Sequence, residues 1–209
     1  MQRSAATCDP MNLTAVFESW HIGDGNYPPL RKGQAVNLSF ELEPSKIEEA
    51  SLDIPESFES LENAEYRFCG TVVRVYEELL ILRACDFLFY LASSEKHQYR
   101  EGRRYCGIGT LLLDHYSWVE CLAHYDNPPN LFYNLEVKRI LRVNVPEKFI
   151  TRHEKGKSFP TRLVPSDYSI SDVGELDTMA GQSFDEEFYI IEFDDSGLEG
   201  SIIPRTFIS

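Results

Sequence analysis

No apolar run in this sequence is long enough to cross a bilayer. The first residues, MQRSAATCDPMNLT, carry an arginine but no apolar core of the kind a secretory signal needs. From these two absences we expect a cytoplasmic protein without membrane contact. Cations are scarce as well: 20 Lys and Arg stand against 34 Asp and Glu, a formal charge of −14. That balance argues against nucleic acid as the main partner, because duplex binding rests on neutralising phosphates. Signatures of known chemistry are missing. There is no G-x-S-x-G, no H-E-x-x-H and no Walker lysine. Gly107-Ile108-Gly109 lacks the third glycine and the following helix of a phosphate loop. No repeat of fixed period occurs. We expect no cofactor and no metal.

The five cysteines, Cys8, Cys69, Cys85, Cys106 and Cys121, form no C-x-x-C pair. Four of them fall in apolar, strand-like runs, so we expect free thiols packed as small hydrophobes. The sequons at Asn12 and Asn37 fall in expected strands and read as chance matches.

What is present is alternation. Residues 35–42 place Val36, Leu38, Phe40 and Leu42 on one face and Asn37, Ser39 and Glu41 on the other. Residues 131–145 repeat the pattern, with Leu135, Val137 and Leu141 on the expected core face. A period of two is the mark of a half-buried strand, since successive side chains face opposite sides of a sheet. Residues 104–145 therefore read as three consecutive strands, with a hairpin around His115-Tyr116-Ser117 and a break at 127–130. Residues 11–20 and 187–193 read as further strands. Residues 66–76 and 79–91 read as two strands joined by a tight hairpin at Glu77-Glu78 or by a longer loop over Tyr76 to Leu79, and the second run is apolar on both faces, as a central strand would be. Short helices are expected after Ser45, at Pro55 and from Pro146 to Gly156. Residues 1–10 read as a frayed end, 11–157 as a barrel-like core, and 158–209 as an irregular acidic segment returning the last strand.

No strand–helix–strand alternation occurs, which excludes a doubly wound parallel sheet. The fold class we expect is mainly β: a strongly curved antiparallel sheet or β-barrel, with an OB-like barrel as one version.

Charge is unevenly placed. Residues 166–209 hold eleven acids against Arg205, whereas residues 138–162 hold eight cations against Glu147 and Glu154. The two segments can pair within the molecule. Alternatively Asp185, Glu186, Glu187, Asp194 and Asp195, with Tyr189 as an aromatic anchor, form a docking face for a basic protein. Our first reading is thus a non-catalytic protein-binding protein that neutralises a basic toxin or nuclease; acidic charge would steer the encounter. The second is a barrel binding a small ligand or single-stranded nucleic acid. In it Trp20, His21, Asp24 and Tyr27, the turn His115 to Trp118, and Arg139 and Arg142 converge at one mouth. Last comes a hydrolase using Asp114, His115 or His124. Asp114 and His115 are neighbours, so on a strand they face opposite ways. We read Asp114 instead as a turn residue accepting backbone donors.

Overall fold

The computed structural model describes residues 12–23, 27–92, 99–114, 128–144, 152–154, 157–159, 169–176 and 188–195. Their architecture is mainly β, and eleven strands join one mixed sheet.

The sheet is built around Arg104–Leu113 (β9). On one side β9 runs antiparallel to Phe40–Ala50 (β4), from Phe40 opposite Leu113 to Ala50 opposite Arg104. On the other it runs antiparallel to Glu65–Val75 (β6), from Glu65 opposite Thr110 to Thr71 opposite Arg104. Gly107 and Gly109 permit this. A Cβ on Gly107 would lie 2.1 Å from the Lys46 carbonyl oxygen, and one on Gly109 would lie 2.6 Å from that of Glu43. Only a residue without a side chain lets β4 come so close. Opposite these glycines β4 carries Pro44 and an extra residue, Ser45, at a bulge. A proline that cannot donate to the ladder fits such an irregularity.

From β6 the chain continues antiparallel through Leu79–Ala84 (β7) and Phe87–Ala92 (β8). β8 then meets β4 in parallel at Tyr90 and Glu41. The pairings β9–β4–β8–β7–β6 thus return to β9. Ser57–Ser60 (β5) flanks β6.

A second circuit shares β4 and β9. Leu13–Glu18 (β1) meets β9 in parallel at Leu112 and pairs with Phe188–Asp195 (β15) along its length. β15 pairs with Tyr133–Asn144 (β10), which pairs with Ala35–Leu38 (β3), the strand that leads through Ser39 into β4. Ser169–Val173 (β13) adds to β10. Two small ladders do not pair with this sheet: Leu30–Arg31 (β2) with Glu175–Leu176 (β14), and Arg152–Glu154 (β11) with Lys157–Phe159 (β12). One core runs through both circuits, with Phe17, Phe40, Phe68, Phe89, Leu111, Val137 and Phe193 all buried.

Several expectations are corrected. The sheet is mixed, since β1–β9 and β4–β8 are parallel. The expected helices after Ser45 and at Pro55 are strands β4 and β5: pairing with β9 and β6 overrides weak local helix preference. Within the third, β11 pairs with β12, and residues 146–151, 155 and 156 lie outside the described residues. Among the described residues the helix observed is the single turn Trp20–Gly23 (α1), which falls in an expected loop.

Residues 79–91 form the hairpin β7–β8 and not one strand. Cys85, in the left-handed region with φ of 57°, makes the turn with Asp86. Both faces are covered as expected, Leu80, Leu82 and Phe89 by the main core, Leu79, Ile81 and Tyr90 by Leu131.

In β10 the alternation breaks at Lys138. Val137 opposes Phe193, but the next pair is Arg139 with Glu192, and Ile140 then opposes Ile191. The extra residue shifts the phase, so Ile140 is buried and Leu141 is only half-buried. Strict alternation would have sent Arg139 to the core face. The bulge releases it to solvent and costs one unpaired position.

The cysteines also differ from expectation. Cys69 and Cys106, directly opposed on β6 and β9, form a disulfide. Cys85 is disulfide-bonded as well. Cys8 and Cys121 lie outside the described residues.

Candidate functional site

Where the two circuits meet, a polar cluster is buried. Asp114 follows β9 and is 2 % exposed. Its backbone N–H donates to the Ser39 carbonyl at 3.1 Å, in the gap between β3 and β4. Its carboxyl group accepts from Ser39 Oγ at 3.0 Å and from the Tyr90 hydroxyl, and its carbonyl accepts from the Tyr27 hydroxyl at 2.9 Å. Glu41 Oε2 lies 3.3 Å from the Tyr90 hydroxyl. Burial holds the Tyr90 phenol well above its ordinary pKa, and the charges of Asp114 and Glu41 add to that. Tyr90 therefore stays protonated and donates. Among the described residues, the Asp114 carboxyl group accepts the Ser39 and Tyr90 hydroxyls. Two hydroxyl donors and near-complete burial tie the carboxyl group into the structure, which leaves the hydrolase reading without an accessible acid or base at this position.

The aromatic loop packs inward. His21 is 1 % exposed, its ring 5.5 Å from that of Phe17 and 5.9 Å from that of Tyr27. Tyr27 is itself buried against Phe17. Trp20 begins α1. Asp24, His115, Trp118 and His124 lie outside the described residues. The structure thus brings His21 and Tyr27 together, inside the core.

Arg139 sits in a ladder of charges across three strands. Its guanidinium donates to Asp172 on β13 at 3.1 Å and to Glu192 on β15 at 3.0 Å. Lys138 bridges Glu136 at 3.2 Å and Asp194 at 3.1 Å. Arg31 on β2 meets Glu175 on β14 at 2.5 Å. Arg142 stands opposite Ser171 and Tyr189. Lys138 and Arg139 of the basic segment thus pair with Asp172, Glu192 and Asp194 of the acidic one. Of the expected docking residues, Tyr189 is buried in the core and Asp194 is held by Lys138. Asp195 opposes Leu135 in register, and Asp185, Glu186 and Glu187 lie outside the described residues.

A second half-buried polar group had no part in the sequence reading. Glu56 Oε1 accepts from Thr71 Oγ1 at 2.7 Å, from Arg104 at 3.2 Å and from Arg83 at 3.4 Å, and its Oε2 accepts from the Cys85 N–H at 3.1 Å. These partners come from β6, β7, β9 and a turn, so no local spacing announces them.

Among the described residues no cluster of His, Cys, Asp and Glu is placed to hold a metal ion, and no helix is long and apolar enough to cross a membrane. Comparison with protein-family models, curated proteins and solved structures gives no match to this chain.

Proposed function

We propose that the chain is a non-catalytic protein-binding protein whose acidic surface receives a basic protein partner, in the manner of a neutraliser of a basic toxin or nuclease. The observation that carries this reading is the fate of the cations. Arg31, Lys46, Arg67, Arg83, Arg103, Arg104, Lys138 and Arg139 each lie within ion-pair distance of a carboxylate of the same chain. Cations engaged in this way offer little to an anionic ligand. The surplus of fourteen negative charges is left to set the outward field, which speeds association with a basic partner. Of the residues on which the small-ligand or single-stranded nucleic-acid alternative rests, Arg139 is doubly paired and His21 and Tyr27 are buried.

We further take the circuit β9–β4–β8–β7–β6 to be a small OB-like barrel. The support is its strand order, closed by one parallel pair, β4 with β8. An OB barrel closes in that order if β6 is its first strand and β4, moved ahead of it in the chain, its last. The Cys69–Cys106 disulfide gives the cytoplasmic expectation no support, because such bonds persist mainly in oxidising compartments.

The test is affinity capture from native extract at low and at high salt, followed by association kinetics of the captured protein. The expected outcome is a basic partner whose association slows as the Debye length falls from about 30 Å at 0.01 M to about 8 Å at 0.15 M. A partner whose association rate ignores salt would defeat the reading.

A further inference from the structure

Residues 51–56 join β4 to β5, and their side chains and backbone have opposite fates. Leu52 is 57 % exposed and Ile54 45 %, two of the four large hydrophobic side chains that stand exposed among the described residues. Pro55 beside them is exposed too. Singly, exposed apolar side chains are ordinary. Here they share one short loop, and its backbone is fixed.

The fixing is specific. The Ile54 N–H donates to the Ser51 carbonyl at 3.1 Å, closing a turn. Ser51 Oγ accepts from the Asp53 N–H at 3.3 Å and donates to Asp53 Oδ2 at 3.4 Å. The Arg104 guanidinium donates to the carbonyls of both Leu52, at 3.2 Å, and Ile54. Arg104 is no loose surface cation. Its side chain is 14 % exposed and pairs with Glu56, 16 % exposed, at 3.2 Å. Glu56 is in turn held by Thr71, Arg83 and the Cys85 N–H. Withdrawing such a pair from water is costly, and what it secures is geometry. The geometry secured is a loop that holds Leu52 and Ile54 out in water. A preorganised apolar element loses little entropy on docking, and a few such side chains dominate binding energy at an interface.

The surroundings select the partner. Glu48, Glu49 and Asp53 are exposed around the loop, and Arg103 and Lys46 are each shared with one of these acids. Three acids against two cations leave this rim net negative, and with the chain's surplus of fourteen negative charges it favours a basic surface over the anionic surface of a membrane. We infer that residues 52–55 form the apolar tip of the docking surface, inserting into an apolar pocket with a basic rim on a partner protein. This rests on the acidic-docking reading above and names the part of the surface that makes contact.

The test uses two peptides of equal positive charge, oligolysine and an alternating Leu-Lys peptide, titrated at low salt against the full chain and against Leu52→Ser/Ile54→Ser. Both positions are exposed, and unchanged melting temperature confirms that the variant folds. The wild-type chain should prefer the Leu-Lys peptide, and the double variant should lose that preference by about tenfold while still binding oligolysine. Amide-exchange protection by the Leu-Lys peptide should centre on residues 51–56. If the variant keeps the preference, the loop is not the docking tip, although the acidic reading stands. If neither peptide binds the wild-type chain, the acidic reading fails and the inference with it.

Discussion

Gly107→Ala tests the arrangement of the central strand. The added Cβ would lie 2.1 Å from the Lys46 carbonyl oxygen, 3.0 Å from the Phe68 ring and 3.1 Å from the Ile47 Cα. Two of these neighbours are β4 backbone, and β9 is held on its other side by β6. Ordinary contact needs more than 1 Å of additional separation, so β4 must move away from β9 at this point. Overpacking a close contact costs about 1–3 kcal/mol. Loosening one or two ladder hydrogen bonds adds about 1 kcal/mol each. Against this, alanine restricts the unfolded chain and returns about 0.4–1 kcal/mol. The net loss should be about 2–4 kcal/mol, read as a lower midpoint in urea with an unchanged slope. Gly174→Ala is the matched control. It lies outside the left-handed region and nothing stands within 4 Å of its added Cβ, so it should be neutral or slightly stabilising. If Gly107→Ala melts within half a kcal/mol of the wild type, or matches the control, then β4 does not approach β9 as described.

Three further outcomes follow from particular contacts. Ile140→Ala should cost about 2–5 kcal/mol and Leu141→Ala clearly less, because the bulge at Lys138 buries the first and half-exposes the second; equal losses in denaturant melts would place the bulge elsewhere. Denatured but unreduced protein should resist thiol labelling at Cys69 and Cys106, and replacing these two cysteines with serine, which removes this bond alone, should lower stability by about 4 kcal/mol, the loop-closure value for a 37-residue separation; labelling of both before reduction would show that they are thiols. Tyr133, pushed up to about 12 by burial, should titrate late in an alkaline absorbance scan, and Tyr133→Phe should remove that step. Its folded pKa is raised, so its contribution to stability is complete below pH 10 and falls as pH rises from 10 towards 12; a Tyr133 that titrates near 10 in the native protein would refute its burial.

The sequence by itself determined the class of the fold and most of its strands. Alternation at 35–42, the two-sided apolar run at 79–91 and the aliphatic run ending at Phe193 are local properties. They require a β-sheet with covered faces whatever the topology. The rest depended on partners distant in the chain. Strand β4 extends through the helix-favouring residues after Ser45 because β9, more than fifty residues away, supplies its ladder. The phase of β10 changes at Lys138 because Glu192, Asp172 and Ile191 are where they are. Asp114 acquires its role from Ser39 and Tyr90, 75 and 24 residues distant. The acidic and basic segments were legible as charge, but only the order β13–β10–β15 decided that they pair with each other. Likewise Leu52 and Ile54 look unremarkable in the sequence. Their fixed exposure comes from one guanidinium, on Arg104, that the fold brings beneath their carbonyls. Periodicity is written into neighbouring residues, whereas a cross-strand contact is set by the free energy of closing the whole sheet, so the first can be read along the chain and the second cannot.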